Sequence, residues 1–268
     1  MKHTPKKNFG QNFLTDYSVI ESIIKLSNFK KNDCIIEIGP GKGALTDWLT
    51  KTELKLKVFA IELDKTLVPI LKKKYSQSQF KVVQADILTF DLENACSVFF
   101  GNCTWRIIGN LPYNISSPIL FKLLNINNKV RDQFFTLQNE VVDRMVAKPG
   151  SRIYGRLSVM LQAAYTIEKL LVIDPKSFYP VPKVTSAFVK MSPNKVLFST
   201  IKDWNVLSNL VTASFSSRRK TIKNNLKEFL YQLDFDILEA ELTDRAEDIS
   251  VKDYISLANQ ISLKKVKL

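Results

Sequence analysis

Apolar residues fall along this chain in short runs of four or five, each followed by a polar or glycine-bearing turn and then by apolar positions at helical spacing. Runs at 34–38, 58–61, 80–83, 105–108 and 133–137 predict five strands. Helices are predicted over 44–51, 65–75, from 117 onward, and over 140–146. A βαβα succession of this kind implies a parallel, doubly wound α/β sheet with helices on both faces. Two later strand-like runs, 170–173 and 186–191, flank a proline-rich stretch and can close the sheet as an antiparallel pair. After Ser192-Pro193 the pattern changes to helix-period segments at about 203–215, 218–230, 235–241 and 251–263. The expected organisation is an α/β domain over 1–192 and a small all-helical domain over 193–268, with no internal repeat and no low-complexity tract.

Composition adds bounds to this picture. A chain of 268 residues with 45% hydrophobic content can bury one large core plus an appendage. No apolar run approaches the ~20 residues of a membrane span, so no membrane partner is expected. The basic start, Met1-Lys2-His3-Thr4-Pro5-Lys6-Lys7, has no apolar region behind it and does not read as a secretory signal; Asp16 and Glu21 argue against a transit peptide. Three cysteines, Cys34, Cys96 and Cys103, show no metal spacing, Cys34 reads as a buried thiol, and cytoplasmic residence is the simplest expectation. No long heptad pattern suggests an obligate dimer, so a monomer is expected. The formal net charge is +13, which favours a polyanionic partner, nucleic acid first. The surplus is uneven: residues 193–268 hold 12 basic and 10 acidic residues, a net of +2, against 27 and 16, a net of +11, in residues 1–192.

The most informative stretch is Gly109-Asn110-Leu111-Pro112-Tyr113-Asn114, directly after the predicted strand at 105–108. It suits the holding of an adenine exocyclic amine for methyl transfer. That amine is a poor nucleophile because its lone pair is delocalised into the ring. The Asn110 amide oxygen and the Leu111 carbonyl can both accept N–H bonds from it and localise the lone pair. Pro112 fixes its own φ and restricts Leu111 to extended geometry. Tyr113 offers a flat face on which a base can stack. The competing reading is an ordinary strand-to-loop turn.

Upstream, Glu37-Ile38-Gly39-Pro40-Gly41-Lys42-Gly43 lies between the first strand and a helix, where glycines let backbone approach a ligand closely. The second strand ends at Glu62, 21 residues beyond Gly41, and an acidic residue there can take both hydroxyls of a ribose. Asp86 follows the third strand, placed to contact an adenine edge. These features alone fit a nicotinamide dehydrogenase or a methyltransferase about equally, and Glu62 and Asp86 taken singly read as capping or solvated loop charges. The compact Gly-x-Gly-x-Gly form and the carboxylate at Asp86 favour S-adenosylmethionine. No metal is required, and His3, the lone histidine, is expected to be uninvolved.

The set resembles the ribosomal RNA adenine dimethyltransferases, most closely their bacterial small-subunit branch, the KsgA type. The matching pieces run in order: Asn8-Phe9-Gly10-Gln11-Asn12-Phe13-Leu14, Glu37-Ile38-Gly39-Pro40-Gly41, Ile61-Glu62-Leu63-Asp64, Gln84-Ala85-Asp86, and Gly109 through Ser116. Beyond them come Tyr154-Gly155-Arg156-Leu157-Ser158-Val159-Met160, Phe178-Tyr179-Pro180-Val181-Pro182-Lys183-Val184, Phe215, Arg218-Arg219-Lys220-Thr221-Ile222 and Asp244-Arg245-Ala246-Glu247-Asp248-Ile249-Ser250. The resemblance implies a Rossmann-like class I methyltransferase fold with a doubly wound mixed sheet. It implies that Asn12 and Leu14, in an N-terminal arm, close over the donor; that Gly39 lies at its methionine part, Glu62 at its ribose and Asp86 at its adenine; and that Asn110 touches donor and target. Tyr113 and Phe178 are implied to sandwich the target adenine, although Phe178 alone reads as core packing. Leu111, the 154–160 stretch and the 218–222 stretch favour the small-subunit branch. The implied reaction is N6,N6-dimethylation of two adjacent adenosines in the 3′-terminal hairpin of 16S rRNA during small-subunit biogenesis. The basic cluster Arg218, Arg219, Lys220 and Lys223 is expected to contact RNA phosphates, the alternative being a solvated helix face. Rival functions are a methyltransferase of large-subunit rRNA giving macrolide resistance, a non-catalytic small-subunit assembly factor, and a dehydrogenase, which the Asn110–Tyr113 turn disfavours.

Overall fold

The computed structural model describes residues 5–6, 10–76, 78–229, 233–234 and 241–265. His3, the Asn8-Phe9 pair of the arm motif and almost all of the helix expected at 235–241 lie outside the described residues. Seven strands form the main sheet: β2 (Cys34–Ile38), β3 (Lys57–Glu62), β4 (Phe80–Gln84), β5 (Trp105–Asn110), β6 (Val130–Gln138), β7 (Tyr165–Ile173) and β9 (Ser186–Pro193). Their order is β4-β3-β2-β5-β6-β9-β7. The first five are parallel, and β9 runs antiparallel to β6. The central strands are mostly apolar because both faces of such a sheet are covered; Cys34–Ile38 is buried at every position, whereas the edge strand β4 alternates in burial. The five expected parallel strands and the late closing strands are therefore present, with β9 inserted between β6 and β7.

A separate two-stranded ladder was not expected. β1 (Phe13–Leu14) pairs antiparallel with β8 (Phe178–Tyr179), Phe13 opposite Tyr179 and Leu14 opposite Phe178. Helix α2 (Ala44–Lys51) matches its expected span, and α3 (Val68–Lys74), α5 (Ser116–Leu123) and α6 (Asn139–Met145) fall within a few residues of theirs. Four described helices fall outside the expected segments: α1 (Tyr17–Ser27), α4 (Leu92–Phe100), α7 (Arg156–Ala164) and α8 (Lys195–Ser199). The signals for α1 were local, since Asp16 caps it by accepting from the backbone N–H of Ser18 and Val19, and it buries Ile20, Ile23 and Ser27 on one stripe.

Chain contacts divide the molecule into two units, residues 1–142 with 168–192, and residues 143–167 with 193–268. The expected boundary after Ser192 is one of these junctions; the grouping of 143–167 with the C-terminal segment was not anticipated. In the second unit α9 (Trp204–Ser214) and α11 (Val251–Lys265) follow the expected spans, whereas the helix expected at 218–230 shrinks to α10 (Ile222–Asn225). Thr221 instead bridges to Arg245, and Ile222 N–H donates to the Asp244 carbonyl at 2.7 Å, so the backbone there is committed to a cross-chain contact rather than to helix. The rings of Tyr154 and Tyr254 both make tilted contacts with Phe215, and the Tyr154 and Tyr254 hydroxyls donate to the carbonyls of Ile249 and Ala246. The residues 244–250 thus serve the packing of this unit.

In the first unit one charged side chain crosses the core. Arg106, 3% exposed, donates to both oxygens of Asp132 at 2.6 and 2.8 Å, to Asp33 at 2.9 Å and to the Ser27 carbonyl at 2.7 Å. Its guanidinium also lies over the rings of Phe29 and Phe134. It ties the start of β5 to β6 and to the end of α1. Arg106→Leu leaves buried Asp132 with only the half-exposed Arg131, 4.0 Å away, as counter-charge, and a loss of about 3–5 kcal/mol is expected. Urea unfolding with an unchanged m-value checks it, and Arg106→Leu combined with Asp132→Leu should recover much of the loss. A single-variant loss below about 1 kcal/mol, the value of an exposed pair, would contradict the burial argument.

Candidate active site

The parallel strands bring their C-terminal ends to one edge, and a cavity of about 500 Å³ opens there. Its walls include Asn12, Leu14, Gly39, Gly41, Glu62, Asp86, Asn110, Leu111, Pro112 and Tyr113. Ten expected site residues, scattered over 102 positions, therefore share one cavity.

The glycine turn follows β2. Gly41 has φ +58°, and a Cβ there would sit 2.9 Å from the Phe13 ring, so the bare backbone is required both by conformation and by space. The Glu62 carboxylate, at the end of β3, accepts from Gly41 N–H at 2.9 Å and from Asp64 N–H at 2.8 Å. Burial raises its pKa, against the pull of those two backbone bonds. It is held in one orientation and can accept further from hydroxyl donors. Asp86 accepts from Leu88 N–H at 2.9 Å and is half-buried at the end of β4.

Asn110 closes β5. Its Nδ2 donates to the Asn12 carbonyl at 2.7 Å, leaving the amide oxygen as the side chain's acceptor toward the cavity. Leu111 is buried and its N–H donates to the Thr136 carbonyl at 3.2 Å, which anchors the turn to β6. The Tyr113 hydroxyl lies 2.6 Å from Ser186 Oγ, and burial raises its pKa. Gly109 is also obligatory, because a Cβ would approach the Ile38 carbonyl to 2.6 Å.

The N-terminal arm is pinned over this edge. Lys6 Nζ meets Asp64 at 2.6 Å and Gln11 Nε2 meets the other Asp64 oxygen at 3.2 Å. Asn12 and Leu14 reach the cavity through that anchorage, which gives Asp64 of the 61–64 motif a structural task.

Phe178 departs from expectation. It is 1% exposed, packed in the apolar core opposite Leu14, and does not line the cavity. Alternation along β8 directs residue 178 inward and residue 179 outward; Tyr179 is 57% exposed. Arg218 likewise has an internal task. Its guanidinium meets Glu247 at 2.7 Å and donates to the carbonyls of Arg152 and Tyr154. Arg219, Lys220 and Lys223 are exposed and carry no ion pair among the described residues. No group of three or more His, Cys, Asp or Glu side chains among the described residues is arranged to hold a metal, and no described helix is long and apolar enough to cross a membrane.

Sheet order, strand directions and the position of the cavity define a class I, Rossmann-like methyltransferase. The model of the ribosomal RNA adenine dimethylase family matches residues 2–263. Ribosomal RNA small subunit methyltransferase A of Marinomonas sp. strain MWYL1 is 42% identical over 260 residues, covering 97% of this chain and 96% of its own. The protein of the same name from Cupriavidus metallidurans is 46% identical over 268 residues, covering 96% and 92%. The crystal structure of a dimethyladenosine transferase from Plasmodium falciparum superposes with a TM-score of 0.76 at 23% identity, covering 94% of this chain and 98% of that one, a likeness of fold. The chain belongs to the ribosomal RNA adenine dimethylase family.

Glu37, the first residue of the 37–43 motif, joins the expected residues in the cavity. It lines the cavity, fully buried, with Thr46 Oγ1 donating to it at 2.7 Å, and burial pushes its pKa up to about 8. The signal was a carboxylate inside an otherwise apolar strand. Because the folded state holds this proton up to about pH 8 and the unfolded chain releases it near 4.5, stability falls as pH rises between those values and levels off above. Glu37→Gln should flatten that decline, with a smaller slope of the same sign remaining from Glu62. Urea midpoints at pH 5.5 and 8.5 for both proteins check it; equal slopes would show that Glu37 titrates normally.

Proposed function

We propose that this chain is a 16S rRNA adenine-N6,N6-dimethyltransferase that uses S-adenosylmethionine on two adjacent adenosines of the 3′-terminal hairpin, during small-subunit biogenesis in the cytoplasm. The observation that carries this reading is the Asn110-Leu111-Pro112-Tyr113 turn opening into the same cavity as Gly41, Glu62 and Asp86. A dehydrogenase has no use for such a turn beside its ribose-binding carboxylate. Family membership and the names of the relatives favour rRNA as substrate and the small subunit as partner.

The cavity fits the donor. Bare backbone at Gly39 and Gly41 receives the methionine part, Glu62 accepts from the ribose hydroxyls, and Asp86 faces the adenine, with Asn12 and Leu14 of the arm covering them. S-adenosylmethionine supplies an electrophilic methyl on a sulfonium that is already a good leaving group. The Asn110 amide oxygen and the Leu111 carbonyl accept the N–H bonds of the adenine amine, localise its lone pair and aim it. Asn12 holds Asn110 in that orientation, Pro112 holds Leu111, and Tyr113, held by Ser186, is the face on which the base stacks. Positioning and exclusion of water supply most of the acceleration, and the amine proton leaves to water. The target must be unstacked to enter, which costs little in a hairpin loop. Phe178, as it stands, supports Leu14 from the core, and a sandwich with Tyr113 requires it to leave that position. In the second unit Arg219, Lys220 and Lys223 are the phosphate contacts of choice, while Arg218 braces Glu247.

Methyl transfer from labelled S-adenosylmethionine to small ribosomal subunits lacking the modification should give N6,N6-dimethyladenosine at adjacent positions on mass analysis of the digested RNA. Asn110→Ala should lower the rate by on the order of a hundred-fold while binding to the subunit survives. Transfer to large subunits instead would move the substrate assignment, and binding without transfer to either subunit would leave an assembly factor.

Charge reversal at Arg219 and Lys220 should weaken binding to the subunit and flatten its salt dependence. An unchanged salt slope would remove these residues from the RNA contact.

A further inference from the structure

The segment from β8 to β9 carries features that methyl transfer at Asn110 does not use. Tyr179, 57% exposed, is one of the most exposed aromatic side chains among the described residues, and Val181 and Val184 beyond it are 60% and 43% exposed. Its backbone is fixed by the antiparallel bridge to Phe13, a residue of the cavity wall. Lys42, also on that wall, is exposed and places its ammonium 4.8 Å from the Phe13 ring centre and 6.0 Å from that of Tyr179. Seven residues on from Tyr179 the chain reaches Ser186, whose hydroxyl holds Tyr113. A solvent-facing aromatic paired with a residue of the cavity wall, a cation of that wall beside it, and a short chain path to Ser186, the hydrogen-bond partner of Tyr113, occur together.

Solvent-exposed aromatic faces next to cations are the elements by which proteins hold unpaired nucleotides, because every base offers a π-face and every linkage a phosphate. A target adenosine drawn into the cavity exposes a face of its unpaired neighbour, which then lacks a stacking partner. We propose that Tyr179 is a stacking platform for the unpaired nucleotide flanking the target adenosine, with Lys42 meeting the intervening phosphate. The proposal rests on the rRNA reading above. Tyr179 is thereby a positioning residue for the substrate strand, and it holds no part of the methyl donor.

The test uses the full-length protein and small subunits lacking the modification. Tyr179→Leu keeps apolar bulk and removes the aromatic face; Tyr179→Phe keeps the face. Tyr179→Leu should raise the KM for the subunit, and weaken binding to it in sedimentation, by about ten-fold or more, with S-adenosylmethionine affinity by calorimetry and the thermal midpoint unchanged. Tyr179→Phe should stay within about two-fold of the wild type. The salt slope of binding should be unaltered in both, since no charge is removed, and should fall by about one in Lys42→Gln. Equal KM and equal binding for Tyr179→Leu and the wild type would overturn the platform. Loss in Tyr179→Phe as large as in Tyr179→Leu would also overturn it, by assigning the effect to the hydroxyl. Wild-type binding without methyl transfer would overturn the catalytic reading instead, and the sedimentation comparison would still decide the platform.

Discussion

Everything at the working edge depends on the parallel register of β2 with its two neighbours. Ile38 stands opposite Ile61 on one side and Gly109 on the other. The next residue of each strand or turn, Gly39, Glu62 and Asn110, therefore emerges at one level. A slip of one residue would invert every side chain of the slipped strand, sending Glu62 or Asn110 to the wrong face. The register is enforced by close approach as well as by hydrogen bonds. Gly39 N–H extends the ladder to the Ile61 carbonyl at 2.9 Å, and Gly109 leaves the space in which the Ile38 carbonyl lies. At the opposite end of β5, Arg106 locks the strand starts. Stability devices and chemical groups thus occupy opposite ends of the same strands, as open α/β sheets require.

At the chemical end, orientation is set by commitments between polar groups. Glu62 is held by Gly41 and Asp64, Asp64 by Lys6, Gln11 and Thr66, and Asn110 by the Asn12 carbonyl. One chain of bonds thus links the glycine turn, the end of β3, the arm and the end of β5. A site in which each carboxylate and amide already has a backbone partner loses little in reorganisation when a ligand arrives. The same burial raises the pKa values of Glu37 and Glu62 together, and the Glu62 charge adds to the difficulty Glu37 has in ionising.

The strands and the cavity residues were legible because their signals are local: apolar runs of strand length, glycines in a turn, a carboxylate at a strand end. What was missed depends on partners distant in sequence. The β1–β8 ladder is two residues long, too short for any periodicity, and it unites positions 14 and 178. Arg106 meets Asp33 and Asp132, 73 and 26 residues away, and read alone it was one more basic residue. Arg218 was read as one of four equivalent cations until Glu247, 29 residues on, singled it out. Phe178 is a different case. Its own apolar character indicated core packing, the resemblance indicated stacking, and strand alternation selects the core in this structure.

On the proposed function, charge distribution and geometry divide the work of holding RNA. Long-range attraction scales with phosphates neutralised and carries no positional information. The net of +11 over residues 1–192 supplies that attraction, and it falls to +2 over the remainder. Positioning needs short-range, directional contacts that salt does not screen, which on the same reading are the acceptors at Asn110 and Leu111 and the ring of Tyr113. A cation such as Lys42 can belong to both groups, since it attracts a phosphate from a distance and is also fixed between two rings. Arg218 illustrates the opposite outcome. Once committed to Glu247 and two carbonyls it contributes little net field, so on the proposed function the phosphate attraction of its segment falls to Arg219, Lys220 and Lys223, which carry no ion pair among the described residues.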